Sequence, residues 1–240
     1  TGGQRFVFIK DRGAAPADGD TLGVVRWEGE DSGQNATAYA QIFGKIADTT
    51  DGSEGGHLGL QVASHDGEMK IGLELVDGDA EDEIDVNIGS GDDSVTTING
   101  SAVLNRKFSV TGDTDGTFQG DVVYFGGTTS MTTGALYHYK SDSTWELADA
   151  NAVATCDGLL GIALGAASDT NGVLLRGMVT VDHDTGAVGD VLFVSTTQGD
   201  ITATAPSANA DIVRVVGYCL HASNGQIWFN PDGAFVEVTA

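Results

Sequence analysis

The chain has 240 residues, of which 40% are hydrophobic and 19% charged, and 35 of them are glycine. This balance excludes an intrinsically disordered protein and predicts a folded, turn-rich chain, which we expect to form two domains. The formal net charge is −24, and no stretch approaches the ~18 apolar residues of a membrane span, so we expect neither nucleic-acid binding nor membrane insertion.

The first half of the chain repeats apolar residues at every second position, which is the period of a β-strand and not of a helix. Turn-forming segments rich in Gly, Asp, Asn and Ser separate these runs. We expect half-buried antiparallel strands with the alternating sets facing inward. The sets are Ala38, Ala40, Ile42 and Ile46; Leu58, Leu60 and Val62; and Met69, Ile71, Leu73 and Leu75.

The segment ELVDGDAEDEIDVNIGSGDD, residues 74–93, holds nine acidic residues and no Lys or Arg. Within it Ile84, Val86 and Ile88 alternate with polar residues. This pattern predicts a strand with its polar face outward, and acidic turns before and after it.

The same run has some features of a calcium-binding loop. An EF-hand places acidic or amide ligands at alternate positions, a Gly at the sixth position and a Glu at the twelfth. Asp77, Asp79 and Glu81 have the alternation, but Asp82 occupies the Gly position and Ile88 the closing one. The motif fails, so we expect a solvated turn, and calcium binding by the acidic run stays an open alternative.

From about Arg106 the chain changes to short runs rich in Val, Leu and Gly. Six or more such runs predict a small β-barrel or sandwich domain at 106–240, after an N-terminal β module at 1–105. The fold class predicted for the whole chain is therefore all-β and antiparallel. Cys156 and Cys219 lie far apart in apolar runs, which predicts two small core residues and not a zinc or disulfide framework.

The run GVLLRGMVTV permits a more detailed prediction. Alternation places Val173, Leu175, Val179 and Val181 on one inward face, and Gly177 leaves room for another backbone to approach closely. The segment DANAVATCDG, in contrast, is expected to hold one helical turn at most, since no capped stripe of helical spacing is present.

The segment GALYHYKSDSTWEL is the candidate for ligand contact. It places Tyr137 and Tyr139 on one strand face, near Trp145 across a predicted turn. Exposed aromatic rings stack on sugars or fill interfaces, whereas cross-strand aromatic pairs also stabilise ordinary sheets. We favour the structural interpretation and retain the three residues as ligand or interface candidates.

The segment VDHDTG places His183 between Asp182 and Asp184. Neighbours in a strand point to opposite faces, so at most one carboxylate shares the side of the imidazole, and a polar strand end is expected. The five histidines show no H-x-H or H-x-x-x-H spacing, and no motif of a nucleophilic enzyme is present. We therefore predict no catalytic residue, no metal, no cofactor and no enzymatic activity.

Two parts of the chain resemble virion proteins of tailed phages. The run GVVRWEGED is similar to a pattern, G-x-[ILV]-x-[FW]-x-G-x-D, of the repeating β module of tail fibres. The matching residues are Gly23, Val25, Trp27, Gly29 and Asp31, with Tyr39 in the following strand. In the second half, GDVVYF, GVLLRGMVTV and GAVGDVLFVST are similar to the small β-barrels of phage fibre and capsid-decoration proteins.

The resemblance implies a structural protein of the virion, assembled in the host cytoplasm. A tail fibre or similar appendage would contact other tail or capsid proteins and, during attachment, a host surface glycan or protein. The resemblance also implies a homotrimer, since such modules bury their sheet faces against symmetry mates. Two alternatives stay open: a capsid decoration protein, and a polysaccharide-degrading tail spike, for which no carboxylate pair stands out in the sequence.

Overall fold

A computed structural model of the chain describes residues 5–10, 13, 15–78, 80–91, 93–110 and 112–239. Their regular secondary structure is almost entirely antiparallel β-sheet, with 40% of residues in strands and 3% in helices, so the predicted all-β class is confirmed. The chain divides into two compact units, unit 1 at residues 1–103 and unit 2 at 104–240. This division lies two residues before the boundary that composition predicts.

Unit 1 is a five-stranded meander in which each strand pairs with the next. Its strands are β1 (Thr21–Glu30), β2 (Ala36–Asp48), β3 (Gly55–Ala63), β4 (Met69–Asp77) and β5 (Ile84–Ile88). The described part of unit 1 contains no other strand and no helix. The sheet is therefore a single layer.

Unit 2 contains the remaining strands and two single-turn helices. The strands are β6 (Phe118–Val123), β7 (Leu136–Tyr139), β8 (Trp145–Leu147), β9 (Leu160–Ala163), β10 (Val173–Thr180), β11 (Val191–Val194), β12 (Ile201–Thr202), β13 (Ile212–Val213), β14 (Val215–Cys219), β15 (Gln226–Phe229) and β16 (Val236–Glu237). β13 pairs with β16, and the other nine strands form one sheet that curls into a half-barrel. A 3-10 turn at Val153–Thr155 confirms the single turn predicted in DANAVATCDG, and helix α1 (Ser168–Asn171) is a further one.

The hydrophobic core of the protein lies in unit 2. Its largest fully buried apolar side chains are Leu136, Leu160, Ile162, Leu174, Leu192, Ile212, Ile227 and Phe229. Cys156 and Cys219 are buried in the same cluster as free thiols, which confirms their predicted role. A smaller cluster contains Tyr137, Trp145 and Val173.

Strand β10 confirms one prediction and corrects another. A Cβ atom added to Gly177 would collide with the backbone of Gln119 on β6, so the glycine permits the predicted close approach. The four valine and leucine side chains do not share one face, however, because Val179 lies in the main core and Val173 in the smaller cluster. An irregularity in the β6–β10 pairing between Leu174 and Arg176 shifts the alternation by one residue.

The alternating sets of unit 1 form the strands that the sequence predicts, but their inward orientation is wrong for this chain. Leu58, Leu60 and Val62 expose 41%, 37% and 58% of their surfaces. All residues of β5 are exposed as well. The physical reason is the single layer: an antiparallel sheet buries an apolar face only where a second layer covers it.

Candidate functional site

Exposed and partly exposed apolar residues of unit 1 lie in register across its strands. Strand pairing aligns them into two rows, and their side chains point to the same side of the sheet because each row is built from cross-strand partners. We call these nine residues the apolar face. They are Val25, Ile42, Leu60, Leu73 and Ile88 in one row, and Gly44, Leu58, Leu75 and Val86 in the other.

The turns between the strands fix this register. The carboxylate of Asp31 accepts hydrogen bonds from the backbone N–H groups of Asn35 and Gly33, at 2.9 and 2.8 Å, in the turn between β1 and β2. The Asn35 backbone bond is the main cause that lowers the pKa of Asp31. A slip of one residue would move the whole apolar set to the other side of the sheet, so these turns determine where the face lies.

The opposite side of the sheet is polar and pairs internally. The carboxylate of Glu74 lies 3.0 Å from Nε2 of His57 and accepts a 3.1 Å hydrogen bond from the Asn87 amide. Phe43 is buried against Gly59 and packs edge-on to the ring of His57. Polar groups on this side pair with one another around the buried Phe43, whereas the apolar face carries no polar side chain.

The apolar face is a continuous patch of moderate size. Its two rows lie two positions apart, so they cover about four residues along each strand and four strand spacings, or about 13 Å by 20 Å and roughly 260 Å². A stable interface buries about 800 Å² per partner, so this face would form the apolar centre of such an interface and not the whole of it. Neither row contains a charged residue, although the chain carries a net charge of −24. A partner that covers this face would be apolar.

The acidic run forms the turn between β4 and β5, as the sequence predicts. The backbone N–H of Gly78 donates to the carbonyl of Glu83. The β4–β5 turn and the β2–β3 turn together line an open cavity of about 780 Å³, whose walls include Asp48, Glu54 and Asp82. Asp79 lies outside the described residues. Among the described ones, no three of the carboxylates at this cavity come within metal-sharing distance.

The three aromatic candidates do lie together, on neighbouring strands of unit 2. Tyr139 and Trp145 are cross-strand partners with ring centroids 5.0 Å apart. Tyr137 and Trp145 are buried, at 5% and 3% exposure, and the Tyr137 hydroxyl accepts a hydrogen bond from the Thr132 N–H. Phe125, which sequence analysis missed, stacks on Trp145 from a distant segment and is the exposed ring of this group. A ligand would reach Phe125 and Tyr139 and not the buried pair.

The described residues contain one group with the spacing of a metal site. It is formed by Asp182, His183 and Asp200. His183 Nδ1 lies 2.8 Å from Asp182, while Nε2 lies 2.9 Å from both the N and O atoms of Ile201. Both ring nitrogens are therefore engaged, and the imidazole fastens β12 to the end of β10. Sequence analysis missed Asp200 because it is distant in sequence and has no spacing signal.

His183 and Cys156 of unit 2 have shifted pKa values that fit structural roles. Burial opposes the charged form of His183, but the Asp182 hydrogen bond, the Ile201 carbonyl and the charge of Asp200 outweigh it and raise the pKa of His183. Burial raises the pKa of the Cys156 thiol to about 11. A thiol with this pKa stays protonated at neutral pH and is a poor nucleophile.

Comparison with known proteins finds no family model and no curated protein that matches the chain. None of the helices among the described residues is long and apolar enough to cross a membrane.

Proposed function

We propose that this chain is a structural subunit of a tailed-phage virion, a tail fibre or similar appendage that takes part in host attachment. The observation that supports the proposal is the apolar face of unit 1, where exposed and partly exposed apolar residues extend across five strands. Two residues that match the fibre-module pattern lie in this sheet: Val25 belongs to the apolar face, and Trp27 is exposed on the same strand. The proposed role is mechanical, and the protein supplies rigidity and a binding surface.

The occupant of the apolar face is proposed to be another copy of the chain, in a homotrimer. Identical apolar faces are complementary to each other, and uncharged rows let strongly acidic chains approach with little local repulsion. In a closed trimer the faces would meet around one axis, with the polar side of each sheet in water. Assembly in the host cytoplasm would precede incorporation beside other virion proteins.

The first experiment measures the mass of the purified chain in solution by light scattering. We expect three times the 24.7 kDa chain mass. Leu60→Glu places a charge in the centre of the apolar face and is expected to give monomers, because an unpaired buried charge is costly. Gln61→Glu adds the same charge to the opposite side of the sheet and should leave the mass unchanged. A monomeric wild-type chain would contradict the proposal.

The second experiment locates the chain in the virion by imaging particles with a labelled copy. Label on the tail supports a fibre or appendage. Label distributed over the capsid would replace this proposal with a decoration protein, an alternative that the curled sheet of unit 2 suits equally. Absence from purified particles would contradict both.

A further inference from the structure

A second surface, in unit 2, combines two arginines with two aromatic rings. Residues of strands β6, β10 and β15 and of the segment before β6 line an open cavity of about 280 Å³. Its lining consists of Arg106, Phe108, Asp121, Arg176 and Trp228. This volume is near the lower limit of ligand pockets, about 300 Å³, and suits one small ring.

The strand pairing explains why these side chains converge. β10 pairs Arg176 with Asp121 of β6, and pairs Met178 with Trp228 of β15. Residues 176 and 178 alternate to the same side of β10, so the guanidinium and the indole lie on one surface. Phe108 packs edge-on to Trp228, with ring centroids 5.2 Å apart, and lines the cavity beside it.

The charges in this cavity do not balance. Arg106 binds the carboxylate of Asp121 at 2.8 Å. Arg176 is exposed and makes no ion pair or side-chain hydrogen bond with a described residue. The cavity lining thus contains two guanidinium groups and one carboxylate, which leaves a local excess of positive charge.

This excess is unusual in unit 2. Residues 104–240 contain five basic residues, Arg106, Lys107, Lys140, Arg176 and Arg214. Lys140 pairs with Asp142 and Glu146, and the buried Arg214 donates to the carbonyls of Cys156, Gly158 and Asp232. Arg176 and the exposed Lys107 are therefore the two basic residues of unit 2 that make no ion pair with a described residue.

The chemistry of the lining indicates the ligand. A guanidinium binds a carboxylate through two parallel hydrogen bonds, which makes arginine selective for planar oxyanions. The indole of Trp228 is half-buried and lines the cavity next to Phe108. Tryptophan faces of this kind pack against the C–H surfaces of sugar rings. The net charge of −24 disfavours polyanions, so a ligand with one carboxylate per ring is favoured.

We propose that Arg106, Arg176 and Trp228 form a binding site for a carboxylate-bearing sugar. Arg176, assisted by Arg106, holds the carboxylate, and Trp228 holds the ring. That such a sugar belongs to a host surface rests on the proposed function, whereas the binding of the acidic sugar does not.

The test is a saturation-transfer NMR titration of the full chain with glucuronate, glucose and acetate. We expect saturable binding of glucuronate, weaker binding of acetate because it lacks the ring, and no binding of glucose. Arg176→Gln should weaken glucuronate binding about tenfold or more, the loss expected for a charge-assisted hydrogen bond. Lys107→Gln removes the same charge from an exposed residue outside the cavity lining and should leave affinity within about twofold of wild type.

Two further variants keep the result interpretable. Arg176→Lys retains the charge but loses the planar fork, and Trp228→Phe retains an aromatic ring of smaller area; both are expected to weaken glucuronate binding. Equal affinity for glucose and glucuronate, no saturable binding, or wild-type affinity in Arg176→Gln would overturn the proposal. A change of solution mass in Arg176→Gln without glucuronate binding would also overturn it, because the arginine would then pair with another copy.

The homotrimer proposal and the acidic-sugar proposal can be tested independently of each other. Leu60→Glu is expected to lower the oligomer mass and to keep glucuronate binding, since every lining residue of the cavity belongs to unit 2.

Discussion

At the residue scale, His138 is the group whose burial has the clearest consequence. It is 2% exposed, and neither ring nitrogen has a hydrogen-bond partner in the structure. Burial lowers the pKa of His138, and the charge of Glu146, whose Oε2 lies 3.7 Å from Nε2, only partly opposes this. Burial in the folded protein therefore disfavours the charged form of this imidazole.

A pH dependence of stability follows. The unfolded chain has a histidine pKa of about 6.5, so below that pH it binds a proton that the folded chain excludes. The unfolding free energy should fall as the pH drops from about 6.5 toward the lower folded pKa. His138→Leu removes this titration and two unpaired buried nitrogens, and should match or exceed wild-type stability at acid pH by about 1–3 kcal/mol.

Urea unfolding of wild type and His138→Leu on both sides of pH 6.5 measures this difference. His221→Gln replaces an exposed histidine of the same unit and should follow the wild-type pH dependence. Identical slopes for wild type and His138→Leu would mean that another group dominates the acid response.

The structure also gives the roles of two carboxylates that stand out in the sequence. Asp31 belongs to the fibre-module pattern and Asp182 flanks a histidine, and each carboxylate serves local structure, by capping a turn or by orienting His183. Asp182 and His183 lie in a bend after β10, where strand alternation does not apply, and the imidazole contacts Asp182 at 2.8 Å. The partners Ile201 and Asp200 could not be predicted, because strand alternation carries no information about distant segments.

At the element scale, β10 is the strand on which unit 2 depends. It pairs with β6 along one edge and with β9 and β15 along the other. Gly177 lies where β6 and β15 both approach, opposite Gly120 and Phe229. Its φ of 148° is one that residues with a side chain rarely adopt.

Gly177→Ala is therefore expected to destabilise unit 2 by about 3 kcal/mol, from overpacking against Gln119 and backbone strain. Thermal unfolding followed by near-ultraviolet circular dichroism measures the loss. Gly233→Ala is the control, since a Cβ atom there meets open space. Wild-type stability in Gly177→Ala would show that β6 can separate from β10 without cost.

The same strand shows why alternation alone gives an incomplete account of an element. The period of two located β10 correctly, but it assigned Val173 and Val179 to one face. The irregularity near Leu174 moves them into different clusters and also places Arg176 beside Asp121. Bulges arise from pairing with a neighbouring strand, so a single strand's sequence does not reveal them.

At the scale of the whole molecule, the net charge of −24 opposes the association of copies, whereas the apolar face favours it. Copies of an acidic chain repel one another over the Debye length, about 30 Å at 0.01 M salt and about 8 Å at 0.15 M. Contact between apolar faces is short-ranged and gains from the removal of water.

Association through the apolar face should therefore strengthen as salt is raised from about 0.01 to 0.15 M, because screening removes repulsion and leaves the apolar contact. Sedimentation velocity measures the oligomer fraction at each salt concentration. Leu60→Glu should remain monomeric throughout. Dissociation on addition of salt would indicate an ionic interface and contradict the role given to this face.

The sequence by itself determined the all-β class, the strands of unit 1, the two core cysteines and the acidic turn. Each of these depends on backbone period or local turn chemistry, which neighbouring residues specify. Only the tertiary structure decided that apolar side chains of unit 1 stay exposed to solvent while those of unit 2 are buried in a core. It alone also brought Arg106, Arg176 and Trp228 together, because strand order and register depend on residues far apart along the chain.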